Sequence, residues 1–201
     1  MCGGWACNCA KPKHFMEYNG TPIVQRTIDL LRYYHVKDIA ITTSPSKVDM
    51  YKQFDVEVIP HEANNVPFVW LDAFYFTDEP VCYMFGDVVY SIKAIKTIVE
   101  TKTTDIEFFA SAPPFAPDYP KKWAEPFAFK VANTKKFRQA VLQAKDLKDA
   151  HIWYRDPISW ELWQVIKGTT PNMINYSNYV VINDFTCDID CEAEIDQWQR
   201  K

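Results

Sequence analysis

The sequence contains no run of about twenty apolar residues, the length that a membrane-spanning helix needs. It also has no basic cluster. Its 22 Lys and Arg stand against 26 Asp and Glu, for a formal net charge of −4. A nucleic-acid groove wants a positive stripe, so neither nucleic acid nor membrane is expected as a partner. Zinc-knuckle spacing is absent too. The six cysteines fall at positions 2, 7, 9, 82, 187 and 191, and neither Cys7-x-Cys9 nor Cys187-x-x-x-Cys191 is the CxxC pair that structural zinc uses. The amino-terminus is glycine-rich and then charged, unlike an export leader, so the expectation is reduced thiols in the cytoplasm. The four histidines show no ligand spacing and receive no role. No repeat, low-complexity tract or linker divides the 201 residues, and a single domain over 1–201 is expected.

What is present is an alternation of strand-like and helix-like segments. Thr21-Pro22 reads as an N-cap and first helical residue, followed by Ile23, Thr27, Ile28 and Leu31 on one face. Strands are expected over 38–43, 56–59, 106–110, 127–131 and 180–182, and the continuous apolar run 81–85 reads as a buried central strand. Helices are expected over 47–53, 92–100, 135–144, 159–166 and 192–198, with helical spacing of large apolar groups over 68–76. Prolines 113, 114, 117 and 120 share one loop, long enough to cover a site. Such alternation predicts an α/β fold, a mostly parallel sheet flanked by helices.

Three stretches can carry chemistry. Gly3-Gly4 lets backbone approach a bulky anion, and Lys13 behind Pro12 adds a fixed positive charge. Asp87 follows Gly86 at the end of the run 81–85, where ligands of open sheets bind. Its competing reading is a helix N-cap or turn residue. Asp188 and Asp190 follow the last strand and, two residues apart in an extended stretch, point the same way. Asp190 alone also suits a helix N-cap. Mg²⁺ uses one or two carboxylates plus substrate phosphates, which Asp87 with Asp190, or with Asp188 as the alternative, would supply. Glu125 and Lys130 are weaker candidates for holding an acceptor, or are ordinary strand-edge residues. Trp153, Trp160 and Trp163 suggest a packed helix or the surface of a homodimer.

Gly3-Gly4, Lys11-Pro12-Lys13 with Phe15, and Asn19-Gly20-Thr21-Pro22-Ile23 together resemble the signature loop of nucleotidyltransferases with a GT-A-like fold, the sugar-phosphate nucleotidyltransferases and cytidylyltransferases. Phe85-Gly86-Asp87 resembles the metal-binding aspartate of that family, and Asp188-Ile189-Asp190 with Glu194 and Asp196 its carboxyl-terminal metal segment. The resemblance implies a Rossmann-like mixed, mostly parallel sheet. It also implies Mg²⁺-dependent transfer of NMP from an NTP of CTP or UTP type to a phosphorylated or phosphonylated small acceptor, with pyrophosphate released. Gly3, Gly4 and Lys13 would hold the triphosphate, Asp87 and Asp190 the Mg²⁺, and segment 64–71 would read the base. Two departures stand out: residues 5–10 hold no arginine, and Met1 directly precedes the glycine turn where the family has an apolar strand. A non-catalytic nucleotide-binding relative and a GT-A glycosyltransferase are the alternatives.

Overall fold

The computed structural model describes residues 1, 12–61, 70–115, 121–153, 155–169, 174–191 and 193–195. In chain order its elements are β1 (Glu17–Tyr18), β2 (Thr21–Pro22), α1 (Ile23–Tyr33), β3 (Ala40–Thr43), α2 (Val48–Tyr51), β4 (Glu57–Pro60), β5 (Val81–Met84), β6 (Val88–Val89), α3 (Ile92–Glu100), β7 (Ile106–Ser111), β8 (Glu125–Val131), α4 (Thr134–Asp149), α5 (Ser159–Lys167), β9 (Val180–Val181) and β10 (Cys187–Asp188). Short 3-10 turns stand at Lys13–Phe15, Pro45–Lys47 and Trp70–Ala73.

The largest sheet runs β5-β8-β7-β9. β8 is antiparallel to both β5 and β7, while β9 is parallel to β7. Three strands therefore share one direction and the second is reversed, which makes the sheet mixed. β3 and β4 form a separate parallel pair.

Local sequence explains the elements. Phe137, Val141 and Ala144 recur at helical spacing and turn one face of α4 inward. Asn133 caps that helix by accepting from the Lys136 amide at 3.1 Å. α5 ends at Gly168, which takes the left-handed φ of 64° that closes helices. Thr21 does not act as the expected cap: Thr21 and Pro22 pair as β2 with β1, and α1 starts at Ile23 without a side-chain cap.

An aromatic core lies between the sheet, α4 and α5. Phe108 stacks on Phe129 with centroids 4.5 Å apart, and Trp160 and Phe137 close in around them. Trp160 and Trp163 are 2% and 1% exposed, so both belong to this core and not to an exterior face. Burying each such ring is worth roughly 1.5–3 kcal/mol.

β5 departs from the expected buried strand. Tyr83 is buried, but Cys82 is exposed. β5 pairs with β8 on one side, and on the other the Met1 amine donates to the Met84 carbonyl at 2.7 Å.

Candidate active site

Lys13 stands on the 3-10 turn behind Pro12, whose φ is −53°. The next residue anchors that turn. His14 is buried, and its Nδ1 lies 2.8 Å from the Tyr51 hydroxyl. Burial, aided by the nearby amino-terminus, Lys47 and Lys13, drives the His14 pKa down to about 3, so the ring is neutral. Phe15 packs on Tyr51 and Phe54, and a rigid base thus carries the lysine.

Asp87 follows β5 in the tight turn Gly86–Asp87. Buried Tyr90 braces this turn: its hydroxyl accepts from the Phe85 amide at 3.1 Å and donates to the Phe127 carbonyl at 2.6 Å. The helix that follows is capped by Ser91, whose Oγ accepts from the Ala94 amide at 2.8 Å. Asp87 is therefore not that cap.

The carboxyl-terminal segment reaches Asp87 through pairing. β10 is antiparallel to β6, with Cys187 opposite Val89 and Asp188 opposite Val88. The Ile189 amide continues the ladder by donating to the Asp87 carbonyl at 2.9 Å. A second tie secures the segment: Ser91 Oγ donates to Asp184 Oδ2 at 2.6 Å, and the Ser91 amide donates to Thr186 Oγ1 at 3.0 Å.

These ties bring three sequence-predicted residues to one place. Lys13 Nζ lies 2.9 Å from Asp190 Oδ1 and 3.8 Å from Asp87 Oδ2. Burial pulls the Lys13 pKa down, but its bond to Asp190 and the charge of Asp87 outweigh that and hold it above the ordinary value. Burial pushes the Asp87 carboxyl up against the pull of Lys13. For Asp190, burial pushes up, and the two lysines beside it win and lower it.

A second ammonium completes the cluster, and the sequence did not point to it. Lys121 is buried and lies 2.8 Å from Glu194 Oε1, 3.4 Å from Asp188 Oδ1, 3.4 Å from Asp190 Oδ2 and 3.8 Å from Glu125 Oε1. Glu125 sits at the start of β8 and accepts from the Asp188 amide at 3.2 Å. Burial, with the bond to the Asp188 carboxyl, pushes Glu125 up to about 9. Lys130, at the far end of β8, is not brought here. Its ammonium donates to the Ile98 and Val99 carbonyls at 2.9 and 2.8 Å, in the last turn of α3. Gly3, Gly4, Asp196 and most of segment 64–71 lie outside the described residues.

Five carboxyls thus face two ammoniums: Asp87, Glu125, Asp188, Asp190 and Glu194 against Lys13 and Lys121. The carboxyls outnumber the ammoniums by three. Among the described residues no three His, Cys, Asp or Glu side chains form a group that could hold a metal ion by themselves.

The family profile described as the MobA-like NTP transferase domain matches residues 1–156. The chain belongs to this family. A comparison with curated proteins finds no match. Among solved structures, this NTP transferase resembles Rv0371c from Mycobacterium tuberculosis H37Rv at 12% identity, over 100% of this chain and 95% of that one, with a TM-score of 0.57. It resembles the inositol-1-phosphate CTP transferase from T. maritima at 16% identity, over 92% and 82%, with a TM-score of 0.51. It also resembles the CTP:phosphocholine cytidylyltransferase LicC from Streptococcus pneumoniae at 10% identity, over 95% and 90%, with a TM-score of 0.52. These likenesses are of fold: the mixed α/β architecture of nucleotidyltransferases. The family match makes the chain an enzyme of nucleotidyl transfer.

Proposed function

We propose that the chain transfers NMP from CTP or UTP to a small acceptor bearing a phosphate or phosphonate, with release of pyrophosphate and dependence on Mg²⁺. The observation that carries this reading is the Lys13 ammonium held between Asp87 and Asp190. The named structural neighbours that act with CTP support the pyrimidine, and their inositol-1-phosphate and phosphocholine acceptors support the acceptor class.

The residues suit a divalent cation. Two carboxylates in a cluster where carboxyls outnumber ammoniums, completed by substrate phosphates, are the donor set that Mg²⁺ takes. Asp87 and Asp190 would hold it, with Asp188 as the alternative ligand. When bound, the ion would neutralise charge on the α-phosphate.

The chain's own part is positioning and electrostatics. Lys13, fixed by the His14 anchor, faces the α-phosphate oxygens and balances the charge that builds there. An oxygen of the acceptor's phosphate attacks the α-phosphorus, the bond to the β-phosphate bridge breaks, and pyrophosphate leaves. No side-chain nucleophile is needed. Gly3 and Gly4 line the phosphates in this reading, and Glu125 lies on the acceptor side. Lys130 serves α3 in the structure.

Pyrophosphate release tests the reading. The protein is incubated with each NTP, Mg²⁺ and a panel of sugar phosphates, phosphocholine-like and phosphonate acceptors. Release with CTP or UTP and one acceptor is expected. Folded protein that releases none with any pair would overturn it.

A further inference from the structure

The two backbone edges of segment 187–190 are bonded in different ways. One edge is a strand ladder: Cys187 and Asp188 pair with β6, and the Ile189 amide donates to the Asp87 carbonyl at 2.9 Å. Successive amides of an extended chain face opposite ways, so those of Asp188 and Asp190 point to the other edge. Carboxyls receive them there. The Asp188 amide donates to Glu125 Oε2 at 3.2 Å, and the Asp190 amide donates to Glu194 Oε2 at 2.7 Å.

Lys121 faces the second oxygen of each glutamate. Its ammonium lies 3.8 Å from Glu125 Oε1 and 2.8 Å from Glu194 Oε1. It also lies 3.4 Å from Asp188 Oδ1 and 3.4 Å from Asp190 Oδ2. One cation thus draws both glutamates and both aspartates together. The Asp190 carboxylate is shared between two lysines, with Oδ2 toward Lys121 and Oδ1 toward Lys13. The Lys121 side chain is only 6% exposed, so water screens its charge weakly. The arrangement has a firm base. Lys121 lies four residues ahead of Glu125, and Glu125 stands opposite Ser111 in the β7–β8 ladder. The large sheet therefore holds the segment from the side that β6 does not reach.

We propose that Lys121 is a positioning residue: acting through Glu125 and Glu194, it fixes the second edge of segment 187–190 and turns Asp190 Oδ1 toward Lys13 and Asp87. Its effect on a divalent cation rests on the reaction proposed above, whereas its hold on the segment does not. Groups that orient metal-binding side chains typically account for about 10–100-fold in metal affinity.

The test compares the full chain with Lys121→Met, Lys121→Arg and Glu194→Gln. Hydrogen exchange by residue is read without metal or nucleotide. Mn²⁺ affinity is read by electron paramagnetic resonance with a non-hydrolysable CTP or UTP analogue. Lys121→Met should speed exchange at the Asp188 and Asp190 amides by more than about tenfold and leave the Phe129 amide of β8 unchanged. It should also weaken Mn²⁺ binding by about tenfold or more. Lys121→Arg keeps the cation and should return both readouts toward the parent values. Glu194→Gln alters a less buried side chain and keeps the lysine, so it serves if Lys121→Met does not fold. It should loosen the Asp190 amide and spare that of Asp188. Unchanged exchange at both amides, equal acceleration at Phe129, or Lys121→Arg matching Lys121→Met would overturn the proposal. So would Mn²⁺ affinity that Lys121→Met leaves at the parent value. A parent protein that binds no Mn²⁺ would count against the proposed reaction alone, and the exchange pattern would then decide the role of Lys121.

Discussion

Lys13 and Asp190 are 177 positions apart in the chain, yet Nζ of one lies 2.9 Å from Oδ1 of the other. No element carries this contact alone. The His14–Tyr51 bond sets one side, and the β6–β10 ladder sets the other. Asp87, at the end of β5, meets the same ammonium.

Replacing the lysine should separate chemistry from folding. Lys13→Met removes the cation but keeps the apolar stem that the turn packs. A fall in kcat of about 10²–10³-fold is expected, the loss seen when one preorganised charge partner of a developing anion is removed. Steady-state pyrophosphate release measures it, and unchanged kcat would deny Lys13 its role.

Asp87→Asn and Asp190→Asn keep shape and remove charge. Each should weaken Mn²⁺ binding by more than about tenfold, ~1.4 kcal/mol, with a non-hydrolysable CTP or UTP analogue present. Electron paramagnetic resonance of free Mn²⁺ reads this without turnover. Mn²⁺ affinity that ignores both substitutions would remove these residues from the metal site.

Glu125 gives a pH signature. Its folded-state pKa is raised to about 9 from an ordinary 4.5, so the native state keeps a proton that the unfolded chain has lost. That contribution is complete below about 4.5 and is lost as pH rises through about 9. Glu125→Gln keeps a donor toward Asp188 and cannot ionise. Its melting midpoint should fall less between these two pH values than that of the parent protein. Parallel profiles would show that Glu125 is ionised in the native state.

His14 acts in the opposite sense. Its folded-state pKa lies at about 3, below its ordinary 6.5. Stability from the neutral ring is present above about 6.5 and drains away as pH falls toward 3. His14→Asn should flatten this acid limb in a thermal melt series. Tyr51→Phe, which strands the buried ring nitrogen, should cost about 1–3 kcal/mol in urea unfolding.

Much of this site could be read from the sequence because its signals are local. A glycine and an aspartate at the end of an apolar run, and a lysine behind a proline, name Asp87 and Lys13 without knowledge of the fold. Asp190 was readable from its place after the last strand. Lys121 was not. It follows the proline-rich loop, where no period marks a direction, and only the loop's length hinted that something there reaches the site. Lys130 stayed open between two readings for a related reason: a strand-edge lysine looks the same whether it faces a substrate or the carbonyls of a neighbouring helix. The reversed strand β8 was equally hidden, because apolar alternation carries no arrow. The 81–85 run read as fully buried, since a strand's composition does not record which of its side chains the neighbouring elements cover.

The β6–β10 pairing has a consequence for how the site comes apart. That ladder is two residues long on each strand, yet it carries Asp190 to Lys13, whereas Asp87 is set by the turn behind β5. Local opening of the ladder would release one carboxylate and leave the other beside the ammonium.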